Sequence, residues 1–434
     1  MSEGRHPATG KALAQEGVGG EEDMLIEVSA LEGAYRYHLS KEKGFLPRLR
    51  PVAMLPPPFR DLERAARELP ERLAEQDGVR TWIDHLFRDV DHTLYSQVEK
   101  LSYASSQTLM LILSLFGHAY RWNTIPPMKD EYDRQTLHLP KHLDHLWSLV
   151  AAQIGQLRVA AFWNTNLCNW KLKNASSPID YALDELTAEN IELIYNWLPG
   201  PFARDAEVFM CTFILVEARG THLLAELMRC LRALACENTI GAALALQKIC
   251  EHFQALYRIY AREIRVSRVR PEIWPTHIQP FFGWNVKTEQ GVLGGPSGMN
   301  LGCFQVLNSF LGLKHESPLG KETLAYRRYM PPHHRAFLYE LDQVAPLARE
   351  TIASSADQSL KSAFNDLITR VAAWRRDHAE RGAVYVQGKQ SPGEHLPQTS
   401  TGKMLGPSRD RAENYRRHMY ERVRETTEAE IPTD

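Results

Sequence analysis

The chain has 434 residues, of which 44% are hydrophobic and 24% are charged. This composition is typical of a soluble globular protein, and the length predicts two packed units rather than one small core. With 51 basic and 53 acidic residues the net charge is close to zero, which argues against nucleic acids and membrane surfaces as partners.

Residues 1–22 are polar and rich in glycine, without the apolar core of a signal peptide, and are predicted to be a disordered tail. The six cysteines show no C-x-x-C spacing and lie in apolar runs, which indicates reduced thiols in a cytoplasmic protein. The most apolar segment, 109–116, is far shorter than the roughly 20 residues of a membrane span. We therefore predict no membrane segment.

Helical spacing of apolar residues dominates and strand-like alternation is nearly absent, so the predicted fold is all-α. Residues 23–155 are predicted to form a small N-terminal helical domain with its connector, and residues 156–426 a large helical domain. The proline-punctuated segment 24–58 is expected to be irregular.

A long helix is predicted over residues 206–235, with Asp205 as its N-cap. Because this helix is apolar on nearly all sides, it is expected to be buried or to line a cavity. Glu217 and Arg219 in its middle predict a structural ion pair or polar groups capped by neighbours.

The segment 283–298 is predicted to be a glycine-rich loop. It lacks the G-K-[ST] ending of a P-loop and no strand precedes it, which argues against a nucleotide site. Its glycines would let the backbone approach a flat ligand and present N–H groups to a carboxylate. Earlier in the chain, the histidines of LHLPKHLDHLW, including His142 and His145, lack the third ligand of a zinc motif and predict a solvated helix face.

The most informative stretch is a predicted helix over residues 359–386. Its apolar residues recur at steps of three and four, and His378 continues this stripe, with Arg375 three residues earlier. A histidine that faces a core is either a hydrogen-bonded structural residue or a metal ligand, and the helix alone leaves both interpretations open. No Ser-His-Asp, Cys-His or paired-carboxylate arrangement is present, so an enzyme of this sequence would need an exogenous cofactor.

Several segments, in order over about residues 35–405, resemble the indoleamine 2,3-dioxygenase family of haem proteins. They are YHLSKEKGFL, CNWKLKN, FILVEA, GGPSG with FQVLNSFLG, YMPPHHRAFL and LKSAFNDLITRVAAWRRDH. The string YMPPHHRAFL is the most specific, since it nearly repeats the family's Met-Pro-Pro-x-His-Arg signature.

The resemblance implies a haem b cofactor with dioxygen as co-substrate, His378 as the proximal ligand of the haem iron, and Arg375 paired with a haem propionate. It implies further that Gly295 and Ser297 contact the cofactor. The substrate-pocket residues that it implies are Phe162, Thr165, Asn166, Phe209, Phe213, Trp274, Gln279 and Thr401. The implied reaction cleaves the indole 2,3-bond of tryptophan or a tryptophan-like indole to an N-formylkynurenine-type product. No side chain acts as an acid or base in it.

Four of these positions depart from the family pattern. Gln279 stands where the family has the arginine that binds the substrate carboxylate, and glutamine cannot form that charged, bidentate clamp. Phe213 replaces a usual serine, Phe162 an aromatic hydroxyl and Asn166 an aliphatic residue. Two alternatives therefore stay open: a specialised haem oxygenase whose indole or aromatic substrate lacks a free carboxylate, and a non-catalytic haem sensor. A monomer is favoured.

Overall fold

The computed structural model describes residues 20–75, 78–128, 131, 137–289, 291–387, 399, 401 and 408–433. Residues 1–19 of the predicted tail lie outside this range, and so does most of the segment 388–407. Residues 20–22, which we assigned to the tail, belong to the first helix.

Helices account for most of the described chain, which confirms the all-α prediction, whereas the two-domain division stays a prediction. They are α1 (Gly20–His38), α2 (Arg60–Ala74), α3 (Val79–Leu86), α4 (Thr93–Val98), α5 (Tyr103–Trp122), α6 (Lys141–Ile154), α7 (Ala203–Ala235), α8 (Thr239–Glu263), α9 (Gln279–Phe282), α10 (Gly302–Phe310), α11 (Pro318–Ala325), α12 (Pro332–Ser354), α13 (Gln358–Gln387) and α14 (Ser408–Thr427). Two small antiparallel ladders pair β1 (Lys171–Leu172) with β2 (Ile191–Glu192) and β3 (Val286–Thr288) with β4 (Gly291–Leu293).

The N-terminal segment is helical where irregular structure was expected. In α1, Met24, Val28, Leu31 and Tyr35 are spaced by three or four residues, and all four are buried. Tyr35 packs against Phe337 of α12, with ring centroids 6.0 Å apart. The proline run that suggested irregular structure begins only after this helix, and the apolar stripe outweighs it.

The predicted glycine-rich loop is partly a β-hairpin. Strands β3 and β4 pair Val286 with Leu293 and Thr288 with Gly291. Gly291 has a φ of 92°, a left-handed conformation that side chains disfavour. This short ladder was missed because strands of three residues are too short to show an alternation of apolar and polar residues.

The central layer is formed by α7 and α8, with α13 packed against α8. The segment Gly200–Ala235 is long and apolar enough to cross a membrane, but 67% of its apolar window is buried inside the fold. It is therefore a core helix. It is also longer than the apolar run 109–116, from whose length we predicted no membrane segment. The predicted N-cap was wrong: the cap is Phe202, and the Asp205 carboxylate instead accepts from the backbone N–H of Arg270 at 2.7 Å and pairs with its guanidinium at 2.6 Å.

Glu217 is capped by backbone groups and forms no ion pair with Arg219. Its carboxylate accepts hydrogen bonds from the N–H groups of Gly302 at 2.8 Å and Cys303 at 3.0 Å, at the start of α10. Burial raises the pKa of Glu217 to about 7, with the two N–H groups acting in the opposite direction. Of the two predicted arrangements, the capped one is correct, because the N-terminus of a helix offers unpaired N–H groups.

Helix α5 holds the turn that carries Gln279. The carbonyl oxygen of Phe281 accepts from Trp122 Nε1 at 3.0 Å and lies 2.9 Å from Nδ1 of the fully buried His118. Burial lowers the pKa of His118 to about 4; the bond to Phe281 opposes the shift and Arg121 adds to it. The ring is therefore neutral near pH 7 and donates from Nδ1.

We expect acid to destabilise the fold through His118. Because the pKa of His118 is about 4 in the folded protein and 6.5 for an ordinary histidine, only the unfolded chain takes up the proton between these values. The free energy of unfolding should fall as the pH drops from 6.5 towards 4, by on the order of 3 kcal/mol from this residue.

Urea unfolding of the wild type and of His118→Asn across this pH range measures the contribution. Asparagine keeps a donor for Phe281 but does not titrate, so the variant should lose less stability over the same interval. Parallel pH profiles of the two proteins would contradict the assignment.

Candidate active site

A cavity of about 670 Å³ lies between the α7–α8 layer and the pair α13–α14. One wall comes from residues 162–166, α7 and the turn 274–282, and the other from α13 and α14. Between them the loop 296–301 and the helices α10 and α11 close the sides. The cavity is large enough for a flat, polycyclic ligand and lies at the centre of the molecule.

Helix α13 presents Trp374, Arg375 and His378 to the cavity. The His378 ring stacks on Trp374, with centroids 5.1 Å apart, and its Nδ1 lies 3.4 Å from the Tyr415 hydroxyl. Burial lowers the pKa of His378 to about 4, opposed by Asp377 and assisted by Arg375. The imidazole is thus neutral at pH 7, and Nε2 has no partner among the described residues. This is the form in which histidine ligates a metal.

The Arg375 guanidinium is buried, and among the described residues it donates hydrogen bonds only to neutral acceptors. It donates to the carbonyl oxygen of Arg422 at 3.0 Å, to the Thr426 hydroxyl, and to Asn308 Oδ1 at 2.6 Å. Burial, with Arg422 adding to it, lowers the pKa of Arg375 to about 9, so the group stays charged at pH 7. A buried cation without a carboxylate partner favours an anionic ligand.

Aromatic rings form the opposite wall. Phe213 packs edge-on against Phe162 and Phe209, at centroid distances of 6.0 and 5.1 Å. Trp274 lies 5.9 Å from Phe209 and 6.0 Å from Tyr385 of α13. Rings that meet edge to face leave little room for water and suit a planar apolar ligand.

Two side-chain amides interrupt this aromatic wall. Asn166 has polar neighbours within the protein: its Nδ2 lies 3.0 Å from Met210 Sδ, and its Oδ1 lies 3.1 Å from the Thr165 hydroxyl oxygen. Gln279 is 7% exposed, and its buried Oε1 has no hydrogen-bond partner among the described residues. An unpaired buried amide oxygen is costly, so Gln279 is poised to bind a ligand group.

The structure brings most of the sequence-predicted site residues together. Those that line the cavity are Phe162, Asn166, Phe209, Phe213, Trp274, Gln279, Ser297, Arg375, His378 and Thr401. Thr165 and Gly295 are not among the lining residues. Thr165 instead donates to the carbonyl oxygen of Ala161 at 2.9 Å. Thr401 lies beside Gly294, where a β-carbon would meet its carbonyl oxygen at 2.8 Å.

Sequence reasoning missed the contribution of α14. Its residues Arg411, Asn414, Tyr415, His418, Met419 and Arg422 line the cavity at helical spacing. On a strongly charged helix this face is polar, and polar spacing alone does not distinguish a cavity wall from a solvated face. Phe304 and Asn308, one turn apart on α10, were missed as well, although the segment that carries them was recognised.

Other histidines form no second metal site. His142 lies beside Tyr95, and its Nδ1 contacts the tyrosine hydroxyl, while the Tyr95 ring meets His145 edge-on at 4.5 Å. Across the described chain no group of three or more His, Cys, Asp or Glu residues is arranged to hold a metal ion. A haem iron needs only a single protein ligand, which His378 supplies in the resemblance.

The haem that the resemblance implies fits these residues. A neutral imidazole whose Nε2 has no partner among the described residues stands one turn from a buried guanidinium that contacts no carboxylate there, and these groups fit an iron ligand and a propionate-binding cation. His378 would hold the iron and Arg375 a propionate. The stacked arrangement of Trp374 between His378 and Phe304 keeps the imidazole in one orientation.

We expect Gly382→Ala to disturb the proximal side of the site. Gly382 lies one turn after His378, and a β-carbon there would overlap the Tyr415 ring. Displacing Tyr415 removes the contact to His378 Nδ1, and loss of such an outer partner lowers metal affinity roughly 10–100-fold.

Haem release to an excess of a haem-binding acceptor protein measures this effect. The control is Gly33→Ala on α1, where a β-carbon meets nothing within 4 Å. Equal release rates for the two variants would contradict the role of Tyr415.

Comparison with known proteins agrees with the resemblance found in the sequence. The family model described as Indoleamine 2,3-dioxygenase matches residues 34–428. Indoleamine 2,3-dioxygenase 1 of Rattus norvegicus is 25% identical over 397 residues, which cover 84% of this chain and 89% of that protein. A myoglobin of Haliotis madaka is 25% identical, covering 85% of this chain and 93% of that protein. A 6-hydroxytryptophan 2,3-dioxygenase of Fusarium equiseti is 21% identical, covering 85% and 89%.

Proposed function

Since this chain belongs to the indoleamine 2,3-dioxygenase family, whose members are haem-dependent dioxygenases, we propose that it uses haem b and dioxygen to cleave the indole 2,3-bond of tryptophan or a tryptophan-like indole. The product would be of the N-formylkynurenine type. The observation that supports this best is the neutral His378 one turn from the buried Arg375 on the wall of an aromatic cavity.

The proximal side of the cavity supports cofactor binding. When bound, haem would supply ferrous iron to activate dioxygen, and both oxygen atoms would enter the product as the indole is oxidised. His378 would ligate the iron through its free nitrogen while Tyr415 orients the ring through the other. Arg375 would pair with a haem propionate, Ser297 would contribute backbone near a propionate, and Gly295 would also contact the cofactor.

The distal side supports binding of a flat apolar substrate. Phe162, Phe209, Phe213 and Trp274 would enclose an indole ring and exclude water from the reacting atoms. Thr401, which lies in sequence between α13 and α14, would approach the substrate. No aspartate, glutamate or histidine from residues 162–301 lines this side, so we propose no side-chain acid or base.

A second candidate function follows from Gln279. Every lysine, arginine or histidine that lines the described cavity comes from position 375 or later, so the wall around Gln279 carries no cation. A substrate carboxylate there would be desolvated without a charged partner. The candidate is therefore an oxygenase of the same family whose indole or aromatic substrate bears a neutral polar group. The name of the Fusarium relative, a 6-hydroxytryptophan 2,3-dioxygenase, points to a substrate that differs from tryptophan on the indole ring but keeps the carboxylate.

The deciding experiment mixes reduced, haem-loaded protein with dioxygen and, in parallel, L-tryptophan or tryptamine, and determines product masses. A tryptophan product heavier by two oxygen atoms supports the first function. Turnover of tryptamine with little of tryptophan supports the second. A stable dioxygen complex without product from any indole would contradict both and favour a non-catalytic haem protein, as the name of the Haliotis relative suggests for that chain.

The remaining expectations about partners are proposals as well. The partners would be dioxygen and a small indole, with no nucleic acid and no membrane, in a cytoplasmic monomer. The buried state of Gly200–Ala235 supports the absence of a membrane segment among the described residues.

A further inference from the structure

The end of the cavity between α13 and α14 is rich in arginine. Of the described lining residues four are arginines, at positions 375, 411, 417 and 422, and only Glu322 is acidic. Arg375 is assigned above to a haem propionate. Among the other three, Arg422 is the most deeply buried, with a side chain 4% exposed.

Arg422 has a guanidinium edge without a protein partner. Its Nη1 donates to Glu425, whereas its Nη2 is buried and forms no hydrogen bond with any described residue. A guanidinium has five N–H donors, and leaving one edge buried and unpaired is costly. The free edge belongs to a side chain that lines the cavity.

The local charges are out of balance. Arg375 and Arg422 carry two positive charges against the one negative charge of Glu425, which also accepts from the backbone N–H of Ser317. A carbonyl, a hydroxyl and an amide oxygen complete the partners of Arg375. An uncompensated buried charge is strongly unfavourable, and a carboxylate would both neutralise it and satisfy the free N–H edge.

We propose that Arg422 is a second carboxylate-binding arginine of this cavity, next to Arg375. The inference rests on the proposed function, because haem and an amino-acid substrate are the two molecules expected there that carry carboxylates. It also gives α14 a part in the site, since this helix would close over one edge of the bound ligand. A role limited to holding Glu425 at the start of α11 would leave the Nη2 edge of Arg422 buried and unpaired.

The test compares Arg422→Gln with two other variants. Arg422→Lys keeps the positive charge, and Arg424→Gln changes an arginine of the same helix whose side chain is 71% exposed. Each protein is loaded with haem or with haem dimethyl ester, and transfer of the cofactor to an acceptor protein is followed by absorbance. Binding of L-tryptophan and of tryptamine to the loaded proteins is measured in the same samples.

If the carboxylate belongs to haem, Arg422→Gln should release haem about 10–100-fold faster than the wild type, with Arg422→Lys in between. With the ester, wild type and variant should then release alike. If the carboxylate belongs to the substrate, haem release should stay unchanged and L-tryptophan binding should weaken about tenfold or more, with tryptamine unaffected.

Two results would overturn the inference. Equal effects on haem and its ester, together with equal effects on tryptophan and tryptamine, would show a merely structural role. No effect at all would show that Arg422 binds neither carboxylate. If the wild type retains haem, either result leaves the proposed function intact. A wild type that takes up no haem would instead overturn the proposed function and this inference with it.

Discussion

Replacing His378 by glycine should abolish coordinated haem, and imidazole added to the solution should restore it. His378 is the histidine of α13 that faces the cavity, and its ring is neutral with a free nitrogen. Loss of an outer partner of a metal ligand alone costs roughly 10–100-fold in affinity, so loss of the ligand itself should cost more. The measurement is the absorption spectrum of the purified, haem-supplemented variant with and without imidazole.

The matched control for this variant is His418→Ala. His418 also lines the cavity, but it lies on α14 within 3.7 Å of Glu421 and is about half exposed. This variant should keep the haem spectrum of the wild type. A His378→Gly protein with an unchanged spectrum, or a His418→Ala protein that loses haem, would contradict the proximal assignment.

Replacing Gln279 by arginine should make L-tryptophan bind about tenfold to a hundredfold more tightly, because a charge-assisted bond contributes roughly 1.5–3 kcal/mol. The wall around Gln279 has no cation, and its amide oxygen has no partner among the described residues. An arginine there could form a bidentate pair with the substrate carboxylate. Spectral titration of the ferrous protein with L-tryptophan measures the change.

Tryptamine, which lacks the carboxylate, separates a charge effect from a change of shape. The gain in affinity for L-tryptophan should be absent for tryptamine, and a Gln279→Met variant should bind neither ligand more tightly. An equal gain for both ligands would mean that position 279 acts on pocket shape rather than on the carboxylate.

That His378 and Arg375 face the interior was predictable from sequence because their positions follow the helical period. The apolar stripe of α13 leads directly to His378, and helix geometry puts Arg375 on the neighbouring position of the same face. The same argument works for the long buried helix α7, whose apolar residues allow no exposed face. Such patterns can be recognised in a sequence because a buried helix face requires an apolar residue at each turn.

The rest of the site depends on contacts between distant segments. The Tyr415 contact with His378 joins residues 37 positions apart, and that of Arg375 with Thr426 spans 51. Nothing on α14 alone marks these side chains, since the helix is charged throughout. Likewise Glu217 meets the start of α10 across 85 residues, so no local pattern could tell a backbone cap from an ion pair.

The double hydrogen bond to the Phe281 carbonyl has a consequence for how such a site can evolve. His118 and Trp122 hold the turn by its backbone, so the position of residue 279 does not depend on its own side chain. Glutamine and arginine codons can differ by a single base. One point mutation at this position could therefore replace a neutral recognition group by a charged one, while the backbone turn that holds the residue stays unchanged.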